Sequence, residues 1–99
     1  MNSKLRNKIP DLDRLFEAVL KLENIDECYD FFDDLCTVSE LKDMAQRICV
    51  AGMLREKRHY NDIVAKTGAS TATISRVKRT LDIGCDGYKI VFDRMENNE

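Results

Sequence analysis

Thr67-Gly68-Ala69-Ser70-Thr71-Ala72-Thr73-Ile74-Ser75-Arg76-Val77-Lys78-Arg79-Thr80-Leu81 is the stretch on which the fold turns. Ile74, Val77 and Leu81 stand at i, i+3 and i+7, the spacing of one buried helical stripe. The opposite face is small and hydroxylated at its front and cationic at its back. Gly68 falls where the chain must bend sharply, and glycine accepts a positive φ without a Cβ penalty. Upstream, Tyr60 to Thr67 reads as a short amphipathic helix, with Ile63 and Val64 placed to pack on Ile74 and Val77. Two helices near 60–67 and 70–81, joined by Thr67-Gly68-Ala69, make a predicted helix-turn-helix. A slim leading end suits a DNA major groove, where hydroxyls meet base edges and nearby cations hold phosphates. The competing reading is a plain helical hairpin whose basic residues are merely solvated.

Charge separates the two readings. The chain has 99 residues and a net charge of −2, which argues against a general nucleic-acid coat. That charge is unevenly spread. Residues 55–81 hold seven Lys or Arg against two acids, whereas 1–54 hold seven against eleven and 82–99 two against five. A basic island between acidic flanks fits one localised anionic partner. The acidic group Asp26, Glu27, Asp30, Asp33 and Asp34 has the spacing of a solvated helix face opposite Tyr29 and Phe32.

The remaining composition narrows the class. With 43% hydrophobic residues in so short a chain, one small domain is expected, with some apolar surface covered by a second subunit. Cys28, Cys36, Cys49 and Cys85 lack paired spacing, and His59 is the sole histidine, so no metal site is expected. The cysteines read as reduced core residues beside apolar stripes. No apolar run approaches a membrane span and nothing reads as a secretory signal, so a cytoplasmic protein without membrane contact is expected. His59 has no nucleophile or orienting carboxylate at useful spacing, so the chain is not expected to be an enzyme.

With one proline and four glycines, the chain should be almost wholly helical. Pro10 suits the first turn of a helix reaching about Leu22, with Leu12, Leu15, Phe16, Val19 and Leu20 as its stripe. Asn24 is the expected N-cap of a second helix, with Glu27 at N3, and Thr37-Val38-Ser39-Glu40 is a capping box opening the longest helix. That helix should run to about Lys57, with Leu41, Met44, Ala45, Ile48, Ala51, Gly52 and Arg55 along one side. After Gly84 and Gly87 comes a last helix bearing Tyr88, Val91, Phe92 and Met95, then a frayed polar tail from Glu96 to Glu99. The result is a six-helix, all-α domain: dimerisation helices over 1–58, the helix-turn-helix over 59–82, and a C-terminal helix and tail over 83–99.

Gly68 to Arg76, with Thr37 and Ala45-Gln46-Arg47 upstream, resembles the Trp repressor superfamily. Phe31 to Thr37 and Ser75 to Arg79 are most similar to its YerC/YecD branch. The likeness spans nearly the whole chain and is strongest from Tyr29 to Leu81. It implies an intertwined homodimer whose two recognition helices enter successive major grooves about 34 Å apart. It also implies a candidate ligand pocket at Thr37, Arg47, Thr73 and Arg76. There the repressor has a glycine that leaves room for an indole, and this chain has Val77. Asp34 and Cys36 replace leucines of the same pocket wall. A carboxylate buried beside an indole is costly, so tryptophan is not expected as a corepressor and no cofactor is expected. Either another small corepressor fits there or Val77 fills the space and fixes the recognition helix, and the second is expected. Failing a ligand role, Arg47 would pair with Asp43 and Arg76 would hold a phosphate.

Base edges of double-stranded DNA fall to Thr71, Ala72 and Ser75, with Asn61 joining from the preceding helix, because the leading turn goes deepest. Ser70 is the expected N-cap rather than a reader. Phosphates fall to Lys66, Lys78, Arg79, Arg55, Lys57 and Arg58. The whole describes a sequence-specific transcriptional regulator of the repressor type. The alternative is a protein-interaction module that sets its basic helix on an acidic protein.

Overall fold

The computed structural model describes residues 3–97. Among them are six α-helices and one 3-10 turn, at Leu5–Asn7, and no strand. The helices are α1 (Leu12–Val19), α2 (Ile25–Leu35), α3 (Val38–Arg55), α4 (Tyr60–Thr67), α5 (Thr71–Ile83) and α6 (Gly87–Asn97). None of them is long and apolar enough to cross a membrane. The chain forms two compact units that divide inside α3, one up to Leu41 and the other from Lys42.

In the first unit the helix starts are set by local hydrogen bonds. Asn24 caps α2 by accepting the Glu27 N–H at 2.9 Å. The return bond differs from the expected box, because the Glu27 carboxylate accepts the Glu23 N–H at 2.9 Å. At α3 the box closes fully: Glu40 accepts the Thr37 N–H at 2.8 Å, and Thr37 Oγ1 accepts the Glu40 N–H at 3.1 Å. Pro10 lies outside α1, not in its first turn. Asp11 at φ 65° intervenes, so helical backbone begins only at Leu12. The helix also stops at Val19, and tighter turns reach Leu22 through the Lys21 and Leu22 N–H groups. None of the described residues of this unit is buried, and Phe16, Leu20, Ile25 and Tyr29 are exposed.

The box has a titration signature. The Thr37 N–H first, and the Thr37 hydroxyl second, hold the Glu40 carboxyl below its ordinary value of 4.5. A carboxyl whose folded pKa is depressed adds stability above its unfolded pKa and loses it as pH falls through the folded value. Glu40→Gln should therefore be less stable than wild type at pH 7, and the difference should shrink below about pH 4.5. Thermal unfolding of both proteins from pH 7 to 3 checks this. Thr37→Ala should lower stability by about 1 kcal/mol through the lost cap.

The second unit holds the core. Val50 and Ala51 of α3 pack with Ile63 of α4, Ala69 of the turn, and Ile74 and Val77 of α5, all buried. Leu81, Tyr88 and Phe92 lie against this cluster. The expected stripe of α3 is only partly inward: Met44 and Ile48 are exposed, and Val50 is buried instead. Val64 is likewise 38% exposed, so Ile63, with the half-buried Tyr60 beside it, carries the α4 contact. Cys28 and Cys36 are half-buried, but Cys49 and Cys85 are exposed rather than in the core. The Phe92 ring lies over Gly52, 3.8 Å from where a Cβ would stand. α5 ends at Ile83, and its cap must be glycine, because a Cβ at Gly84 would collide with the Thr80 carbonyl oxygen.

Candidate nucleic-acid interface

The geometry begins at the turn. Gly68 ends α4 at φ 71°, and its N–H bonds the Val64 carbonyl at 2.9 Å. Thr67 folds its hydroxyl back to donate to the Ile63 carbonyl at 2.7 Å and accepts the Ala69 N–H at 3.1 Å. Its own carbonyl accepts from the Gln46 side-chain amide of α3 at 3.1 Å. Buried Ala69 seals the inside of the turn. Ser70 then caps α5, accepting the Thr73 N–H at 3.1 Å, while its hydroxyl donates to Thr73 Oγ1 at 3.1 Å. These bonds, together with the core residues behind them, set the direction of α5.

Ile74 and Val77 bury one side of α5 and leave the other free. Thr71, Ala72 and Ser75 are all exposed at its leading end, and Asn61 is exposed on α4. Lys66, Arg76 and Arg79 are exposed and in no ion pair among the described residues. Lys78 pairs only with Asp82, one turn on, at 3.2 Å on the open surface. An exposed pair of this kind is worth a few tenths of a kcal/mol and yields readily to a phosphate. Arg58 is 3.6 Å from Glu56, and Lys57 has no ion-pair partner among the described residues.

Arg55 is different. Its guanidinium binds both Asp93 and Glu96 of α6, reaching Glu96 from Nε at 2.9 Å, and lies 5.8 Å from the centre of the Phe92 ring. A cation already held by two carboxylates has little left for a phosphate, so Arg55 ties α6 to α3. Lys89 first and Arg55 second hold the Asp93 carboxyl below its ordinary range. Glu96, expected to open the frayed tail, is thus helical and bonded, and residues 98–99 lie outside the described residues. Arg55→Gln should raise amide hydrogen exchange across 87–97 while leaving that of α4 unchanged; uniform exchange would remove the tie.

The ligand-pocket residues are placed as follows. Thr37 is the cap of α3 and Arg47 is exposed there, without the expected Asp43 pair. Thr73 takes the Ser70 hydroxyl, Arg76 is exposed, and Val77 is 2% exposed within the core. Gln46 and Thr67, which orient the turn, have no sequence signature of their own: both are polar residues whose role arises only when α3 crosses the end of α4.

This geometry has known counterparts. The family model described as Trp repressor protein matches residues 10–96. YerC of Bacillus subtilis, an uncharacterized protein, is 54% identical over 96 residues, covering 97% of this chain and 90% of its own length. The crystal structure of a TrpR-like protein from Eubacterium eligens superposes with a TM-score of 0.86 at 54% identity, covering 93% of this chain and 95% of that one. A crystal structure of a Trp repressor candidate from Staphylococcus aureus gives a TM-score of 0.90 at 49% identity, covering 96% of each. With that agreement of sequence and fold, the chain belongs to the Trp repressor family.

Proposed function

We propose that the protein is a cytoplasmic, sequence-specific DNA-binding regulator of the repressor type that works as a homodimer. The observation carrying this reading is the leading end of α5. Thr71, Ala72 and Ser75 are exposed there on a helix locked from behind by Ile74 and Val77. A rigid slim end of that kind presents hydroxyls and a methyl group to the major groove at little ordering cost. Lys66, Lys78, Arg79, Lys57 and Arg58 hold phosphates around it, and Arg76 joins them. The dimer reading is supported by the first unit, which buries none of its described residues and needs cover for Phe16, Leu20 and Ile25. Repression follows from occupying a two-fold-symmetric site that the transcription machinery must use.

In this reading α5 needs no tryptophan. Val77 is packed into the core rather than leaving a gap, and a filled site does not admit an indole. Tryptophan should therefore leave the melting temperature unchanged, because a ligand that binds only the folded state must raise it. A rise with tryptophan would overturn this part of the reading.

Selection of bound fragments from genomic DNA tests the main reading. Recovery of a two-fold-symmetric sequence, bound by a species of twice the mass of one chain, is the expected result. Retention of no DNA at low salt would leave the basic face to an acidic protein partner.

A further inference from the structure

A second basic feature lies behind the leading end of α5. The loop after α3, the back of α5 and the start of α6 enclose a cleft of about 580 Å³. Lys57, Arg58, Lys78 and Lys89 line it beside Arg55, whose charge Asp93 and Glu96 already hold, and Asp82 is the one carboxylate of the lining. Leu54, Leu81 and the Tyr60 ring supply an apolar floor.

Lys57 marks the cleft as more than a chance meeting of surface cations. It stands at φ 63° in the turn just past the end of α3, where its N–H bonds the Leu54 carbonyl at 2.9 Å and the Arg58 N–H bonds the Met53 carbonyl at 3.0 Å. That bonding closes a helix with a left-handed residue, a position glycine fills without strain and lysine does not. The chain thus keeps a cation at the cleft mouth against its own backbone preference. Lys89 is also released easily, since Asp93, which it bonds at 2.8 Å, retains Arg55. Lys78 falls seven residues after Thr71 and three after Ser75, so it shares their face of α5.

We propose that this cleft is a phosphate seat, with Lys89 of α6 as a member together with Lys57, Arg58 and Lys78. It takes a phosphate ester whose sugar or other apolar part rests on Leu54, Leu81 and Tyr60. The ester is either a backbone phosphate of the duplex on α5 or a free phosphorylated small molecule. The first source rests on the DNA-binding reading above, and the second does not.

Two measurements on the full chain separate these sources. In the first, the affinity for a duplex is followed against salt for wild type, Lys89→Gln, Arg58→Gln and, as a control outside the cleft, Lys42→Gln. Each lost phosphate contact should flatten the log–log slope by about 0.9, and Lys42→Gln should leave it unchanged. In the second, melting is followed with inorganic pyrophosphate and with ATP at fixed ionic strength. A rise in wild type that Lys89→Gln and Arg58→Gln abolish shows a free phosphate in the seat, even if the protein binds no duplex. Lys57→Gly gives the sharpest contrast. It should melt several degrees higher, as strain is relieved, yet show a smaller melting rise with pyrophosphate and ATP or a flatter salt slope on the duplex than wild type. Unchanged slopes together with no phosphate-dependent melting shift would overturn the seat, and would leave α5 as a reader of bases untouched.

Discussion

Ala72→Glu is expected to lower the affinity for a selected duplex by about 100-fold or more, with no loss of thermal stability. Ala72 is exposed in the first turn of α5. A carboxylate there meets phosphates and base acceptors at close range, and like-charge contacts at an interface cost several kcal/mol. The fold should not suffer. An acidic side chain near a helix N-terminus is favoured by the helix dipole, and nothing packs over Ala72 that a longer side chain would displace. The pairing of lost binding with retained melting separates an effect on the interface from an effect on folding. Fluorescence titration at two salt concentrations and a melting curve on the same preparation provide both readouts. Unaltered affinity would move the contact surface away from this end of α5.

Ile74→Ala has the opposite profile. Ile74 is fully buried between α3 and α4, and removing a buried aliphatic side chain typically costs about 2–5 kcal/mol. In a domain of this size each kcal/mol moves the melting temperature by roughly 4–8 °C, so a fall of at least about 10 °C is expected. Val64→Ala is the control, because Val64 is 38% exposed and its truncation should cost under about 1 kcal/mol. DNA binding should fail in Ile74→Ala only as the protein unfolds on warming, and persist at low temperature. Equal melting of the two variants would show that the core is not organised around α5.

The helices were legible because their signals are local. Asn24, Thr37 and Ser70 carry short polar side chains favoured at helix starts, and each accepts a backbone N–H there. Gly68 takes the left-handed turn it was expected to take. The stripe of α5 was equally plain, since Ile74 and Val77 have no competing apolar face nearby. α3 was harder. It is apolar on more than one side, so periodicity alone could not choose Val50 over Ile48. Pro10 misled because the left-handed Asp11 separates it from the helix, and no residue pattern signals that conformation in aspartate. Arg55 has a run of cations as its neighbours in sequence, whereas its partners lie about forty residues on, in α6. Long-range ion pairs of this kind leave no trace in spacing. The same limit hid Gln46, whose bond to Thr67 spans 21 residues, and Lys89, which meets the cleft only after the chain has folded back.

Replacing single purines with their 7-deaza analogues along a selected duplex probes the major groove directly, because it removes one acceptor there and leaves the minor groove unchanged. If the hydroxyl-bearing ends of two α5 helices read this groove, binding should weaken at two clusters of positions one helical turn apart, about 34 Å. Uniform binding across all substituted positions, with sensitivity appearing only when minor-groove groups are altered, would show that α5 does not read the DNA.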